Sequence, residues 1–69
     1  MKYEIKYRLK ELRLENKLTQ KQIAKLLNKS ETGYASWEQG LSEPGVNDII
    51  LLCKIFDVSS DYLLDINQD

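Results

Sequence analysis

The chain contains no histidine, and its one cysteine, Cys53, has no second thiol within the chain to bond with. Neither an internal disulfide nor a Cys/His zinc site is therefore available to brace the fold. At 69 residues this is a severe constraint, because so small a domain buries only roughly 60% of the surface its unfolded chain exposes. Stability has to come from dense helix packing or from a partner. The same absence removes the commonest general base and any Ser/His or Cys/His pairing, and the three glycines form no phosphate-cradling loop. The sequence points away from an enzyme, and neither a cofactor nor a metal is expected. With 42% hydrophobic and 30% charged residues, the composition is that of an ordinary globular domain. No apolar run approaches the roughly 20 residues of a membrane span. Met1-Lys2-Tyr3-Glu4 does not open an apolar signal segment, so cytoplasmic residence is the expectation.

The net charge of -1 conceals a polarised chain. Residues 1–29 carry nine bases against three acids, a balance of +6, whereas residues 30–69 carry Lys54 against eight acids, a balance of -7. A basic half suits a polyanionic partner, although lysines spaced along helices also serve simply to solvate exposed faces.

Helical periodicity runs through the whole chain, which reads as a single all-α domain over residues 1–69. Ile5, Leu9 and Leu12 recur at i, i+4 and i+7 and predict an amphipathic helix over about residues 4–16. Thr19 with Gln22 three positions later is a capping box, opening a helix over about 20–27 that turns Ile23, Ala24 and Leu27 inward and stops near Asn28. Ser30 is an N-cap for a third helix over about 31–39, anchored by Tyr34 and Trp37, with Glu31 at its positive end and Gly40 closing it. Gly33 within that helix is expected to cost about 1 kcal/mol relative to alanine. Ser42-Glu43-Pro44-Gly45 is a loop. The fourth helix, about 46–56, is nearly continuous in apolar residues and is expected at the centre of the core, with Cys53 filling space there. Ser59 caps a final helix over about 60–65, from which Tyr62, Leu63 and Leu64 are expected to pack back. The expected core is Ile5, Leu9, Ile23, Leu27, Trp37, Leu52, Phe56 and Tyr62. Only about three residues separate the second and third helices, a spacing typical of helix-turn-helix units.

Several runs in order carry a resemblance: Arg8-Leu9-Lys10-Glu11-Leu12-Arg13, Leu18-Thr19-Gln20, Ile23-Ala24, Trp37-Glu38-Gln39-Gly40, Ser42-Glu43-Pro44 and Val58-Ser59-Ser60-Asp61-Tyr62-Leu63-Leu64. From about Ile5 to Leu64 the chain resembles the lambda-repressor-like, or Xre-type, helix-turn-helix family. The resemblance implies a compact five-helix DNA-binding domain whose third helix reads the major groove of double-stranded DNA. It implies base-reading roles for Glu31, Thr32 and Ser36, and phosphate or flanking contacts for Thr19, Gln20, Lys21, Lys29 and Gln39. It also implies a salt bridge between Arg13 and Glu38 that orients the reading helix.

The sequence departs from that family where phosphate contacts are usual. No base occurs from residue 30 to residue 53, and Glu31 with Glu38 gives the third helix a negative balance. Phosphate neutralisation supplies most non-specific affinity, so a single domain is expected to bind weakly and to depend on dimerisation. Leu14, Leu41 and Leu51 look surplus to a five-helix core; scattered leucines are normal on surfaces, and a self-association face near helices four and five is the functional reading. The sequence thus predicts a homodimeric transcriptional regulator, a repressor or a phage, mobile-element or toxin-antitoxin control protein, with concentration, dimerisation or a regulatory partner protein setting its activity. The alternative is a protein-interaction module of the same fold that has lost groove reading and uses Tyr34, Leu41, Leu51 or the acidic half.

Overall fold

Local capping signals divide the chain into five helices. The computed structural model describes residues 5–64, comprising α1 (Ile5–Glu15), α2 (Gln20–Leu26), α3 (Glu31–Gln39), α4 (Val46–Phe56) and α5 (Ser60–Leu64). The expected boundaries at residues 4 and 65 lie outside the described residues. At the start of α2, Gln22 N donates to Thr19 Oγ1 at 3.0 Å and Thr19 N donates to Gln22 Oε1 at 2.8 Å, completing the capping box. Ser30 Oγ accepts from Gly33 N at 3.0 Å. Gly33 therefore stands in the first turn of α3 rather than in its middle, and a Cβ there would lie 3.0 Å from the capping hydroxyl. Its mid-helix cost is offset by the close cap it permits.

The first four helices end alike. Lys17, Asn28, Gly40 and Asp57 adopt left-handed backbone at φ 57, 58, 78 and 55°, and the next amide in each case reaches back five residues: Leu18 to Arg13 O, Lys29 to Ala24 O, Leu41 to Ser36 O and Val58 to Cys53 O. This Schellman arrangement satisfies carbonyls that a helix end otherwise leaves unpaired and turns the chain sharply enough for the next helix to pack back. At Gly40 the left-handed backbone is combined with crowding, since an added Cβ would lie 2.9 Å from Lys6 Cδ. Gly40→Ala is expected to cost about 1–2 kcal/mol, read from urea unfolding. Gly40→Asn should recover the backbone part of the loss but not the crowding, because asparagine already holds the same conformation at position 28 yet carries the same Cβ.

The core forms where α1, α2 and α3 meet and is closed by α4 and α5. Leu9, Leu12, Ile23, Ala24, Leu27, Tyr34, Trp37, Leu52, Phe56 and Leu63 are buried together, with Ile5 packed at the edge. Two expectations are corrected. Tyr62 is exposed, the centre of its ring 4.0 Å from the Arg8 guanidinium carbon, and of the expected α5 residues it is Leu63 that fills the core, because the phase of a five-residue helix is set by how its cap enters. Helix α4 is not central: only Leu52 and Phe56 are buried, and its inner face lies against α5. Its apolar content alone gave no direction. Among the described residues, no helix is long and apolar enough to cross a membrane.

Candidate nucleic-acid interface

Residues 27–30 join α2 to α3, giving two short helices separated by a tight turn. What holds them in place is one carboxylate. Arg13, from the last turn of α1, donates from Nε to Glu38 Oε2 at 2.7 Å and from Nη2 to Oε1 at 3.2 Å. Tyr34 donates its hydroxyl to Oε2 at 2.6 Å, and Gln20, the first residue of α2, donates from Nε2 to Oε1 at 3.1 Å. Arg13 Nη1 also donates to the carbonyl of Leu18 at 2.9 Å. The side chains of Arg13 and Glu38 are 11% and 4% exposed, so three helices converge on a nearly dry, bidentate, fully paired site.

The ionisation of these groups follows from that geometry. Burial alone works against the Glu38 charge, but hydrogen bonds from Arg13, Tyr34 and Gln20 outweigh it and hold the carboxyl below its ordinary value. Burial first, and then donation to the Glu38 carboxylate, push the Tyr34 phenol far up. The Glu38 hydrogen bond likewise raises Arg13. Cys53 is half-buried on α4, and burial raises its thiol, which suppresses the reactive thiolate.

The charge balance expected for α3 therefore changes. Glu38 points inward and is neutralised by Arg13, which leaves Glu31 as the acid on the outer surface of α3. Lys6, half-buried on α1, lies over Gly40 and brings a base to the C-terminal end of α3, where the chain itself supplies none. The Arg13–Glu38 pair is the one the resemblance implied, but sequence spacing by itself showed neither effect, since both arise from α1 crossing α3.

Glu31, Thr32 and Gln39 are exposed on α3. Ser36 is half-buried, donates to Gly33 O at 2.6 Å and accepts from the Ser42 hydroxyl at 2.5 Å, so its polar atom braces the following loop. Thr19 and Gln20 have their side chains engaged in the capping box and at Glu38, respectively. Lys21, Lys25 and Lys29 line a shallow depression with Ala24, Asn28 and Glu31, and Lys29 Nζ lies 3.5 Å from Asp48 Oδ1. The roles of Tyr34 and Gln20 in binding Glu38 were not expected from the sequence. The i, i+4 spacing of Tyr34 and Glu38 was the available signal.

A compact all-helical domain with a tight α2–turn–α3 unit defines the class, and comparison with known proteins agrees. The family described as "Helix-turn-helix" matches residues 9–63. The uncharacterized HTH-type transcriptional regulator YobD of Bacillus subtilis is 32% identical over 62 residues, which span 90% of this chain and 55% of that protein. The HTH-type transcriptional activator BcrR of Enterococcus faecalis is 36% identical over 61 residues, 88% of this chain and 30% of that protein. A crystal structure of a transcriptional regulator from Listeria innocua superposes with a TM-score of 0.91 at 29% identity, covering 100% of this chain and 64% of that one. The chain belongs to the helix-turn-helix family of the lambda-repressor-like type. It spans about half, or less, of the length of these two curated relatives.

Proposed function

We propose that this protein is a sequence-specific DNA-binding transcriptional regulator that inserts α3 into the major groove as a homodimer. The observation that carries the reading is the carboxylate clamp at Glu38: it removes the second acid from the outer face of α3 and fixes that helix against α1 and α2. On that face Glu31 accepts from a cytosine amine and Thr32 bonds or touches a base edge. Ser36, its hydroxyl engaged internally, contributes mainly shape. Lys21 and Lys29 neutralise phosphates and Gln39 flanks the site. Thr19 and Gln20, already bonded within the protein, have the smaller share. Repression requires only occupancy of the operator, whereas activation requires a polymerase contact besides, so we take repression as the action. The interaction-module alternative loses one of its anchors, because Tyr34 is fully buried.

A salt titration with random duplex DNA tests the reading. Binding should be measurable at low salt, and its log-log slope should be about -0.9 per phosphate neutralised. Lys21→Ala should weaken binding to all sequences and reduce the slope by about 1, whereas Thr32→Ala should relax preference at one base and leave the slope unchanged. Binding that does not respond to salt, or no binding at low salt, defeats the proposal.

A further inference from the structure

Helix α3 meets a base edge with little that can donate. Arginine and lysine recognise guanine through O6 and N7, and asparagine and glutamine recognise adenine through N6 and N7. Residues 31–38 contain none of these four side chains. Gln39, the first amide, lies eight residues beyond Glu31, about 12 Å along the axis. Ahead of the helix, the nearest base, Lys29, lies against Asp48 of α4 at 3.5 Å. Ser36 has committed its hydroxyl proton to Gly33 O. What remains is the exposed Glu31 carboxylate, the hydroxyl and methyl of exposed Thr32, and the methyl of half-buried Ala35. Thr32 and Ala35 stand three residues apart, so their methyl groups share one face.

We infer that α3 selects adjacent pyrimidines on one strand, a cytosine under Glu31 and a thymine whose methyl group seats between Thr32 and Ala35. The inference rests on the reading of α3 as a major-groove helix, and it adds Ala35 to the residues that set specificity.

The donor and acceptor pattern of each base favours cytosine. In the major groove cytosine shows only its N4 amine, a donor, whereas adenine sets an N7 acceptor beside its N6 amine and guanine shows acceptors alone. An ionised carboxylate accepts at both oxygens. Glu31 therefore gains a charge-assisted bond from cytosine, loses part of it to repulsion at adenine and is repelled by guanine. Lys21, Lys25 and Lys29 line the depression that Glu31 borders, and their field lowers the cost of bringing this carboxylate between phosphates.

Thymine follows from shape and spacing. Its C5-methyl group is the apolar feature of the major-groove edge, and small apolar side chains are what contact it. Glu31 lies on average two and a half residues ahead of the Thr32 and Ala35 pair, about 4 Å at the helical rise. That is close to the roughly 3.4 Å between successive bases on a strand, so the two bases read are neighbours.

Selection of bound duplexes from a random pool with the full chain, followed by affinity measurements on the enriched sequence, tests the inference. Each half-site should carry a cytosine next to a thymine on one strand. Replacing that thymine by deoxyuridine keeps every hydrogen-bonding group and removes only the methyl, and should weaken wild-type binding about fourfold. In Thr32→Ser and in Ala35→Gly the same replacement should cost less than about twofold, because the methyl has lost a neighbour. Each ratio compares two duplexes on one protein, so any loss of stability cancels. Glu31→Gln should change the preferred base from cytosine to adenine by about tenfold. Equal binding of the thymine and uracil duplexes, an unchanged ratio in either methyl-deleting variant, or a cytosine preference retained by Glu31→Gln overturns the inference. A chain that binds random duplex with a steep salt dependence yet enriches no such pyrimidine step fails this inference alone, whereas a chain that binds no duplex at low salt fails the DNA-binding reading as well.

Discussion

Glu38→Ala is expected to destabilise the fold by about 3 kcal/mol, because it leaves the nearly dry Arg13 guanidinium with its bond to the Leu18 carbonyl but without its counter-charge, and deprives Tyr34 and Gln20 of their acceptor. Domains of this size are stable by roughly 0.05–0.15 kcal/mol per residue, so the loss is a large share of the whole. Paired replacement with apolar side chains, Arg13→Met with Glu38→Leu, should restore much of the stability, since no buried charge then remains unpaired. DNA affinity should stay reduced in that pair, because the link that orients α3 is gone. Recovery of affinity together with stability shows that the clamp is structural only. The pH dependence carries a sign. The folded Glu38 carboxyl titrates below its ordinary value, so its stabilisation is complete above the unfolded value of about 4.3 and drains away as pH falls through the lowered folded value. Urea midpoints measured from pH 7 down to 3 should show this acid limb in the wild type and a shallower one in Glu38→Gln. A limb of equal depth in both excludes Glu38 as its source.

Trp37→Ala should cost about 3–5 kcal/mol, enough to leave much of the chain unfolded at physiological temperature. Trp37 is buried on α3 and meets the Tyr34 ring edge-on at 5.7 Å between centroids, so truncation empties the wall on which the reading helix rests. The surrounding short helices cannot collapse into that space without moving α3. Trp37→Phe should cost less, because it retains an aromatic body in the same place. Far-ultraviolet circular dichroism during urea unfolding measures both variants. An alanine variant with the wild-type midpoint means that Trp37 does not anchor α3.

Much of this was legible because it is local. Thr19 with Gln22, Ser30, Gly40 and Ser59 mark helix ends by side-chain chemistry that acts over three or four residues, and the element boundaries agree with the expected ones to within a residue where both are described. The motif order was likewise readable, and the family it implied is the one the chain matches. Direction was less legible. In α4 Leu51 was read as surplus to the core, but the nearly continuous apolar run did not show that Ile50 faces outward as well; in α5 Leu63 packs inward as expected, whereas Tyr62 does not.

An unstapled all-helical domain thus follows from the residues alone: without a second cysteine or any histidine, these caps and periodicities admit little else. The Arg13–Glu38 pair was implied by the family resemblance, but its burial and its further partners come from packing. Glu38 counts as an acid of α3 along the chain, yet α1 crosses behind it with Arg13, 25 residues away, and Tyr34 and Gln20 complete the site, so its charge is taken up inside. Charge adds along a sequence without regard to place, whereas its effect depends on distance and on burial, and those are properties of the packed helices.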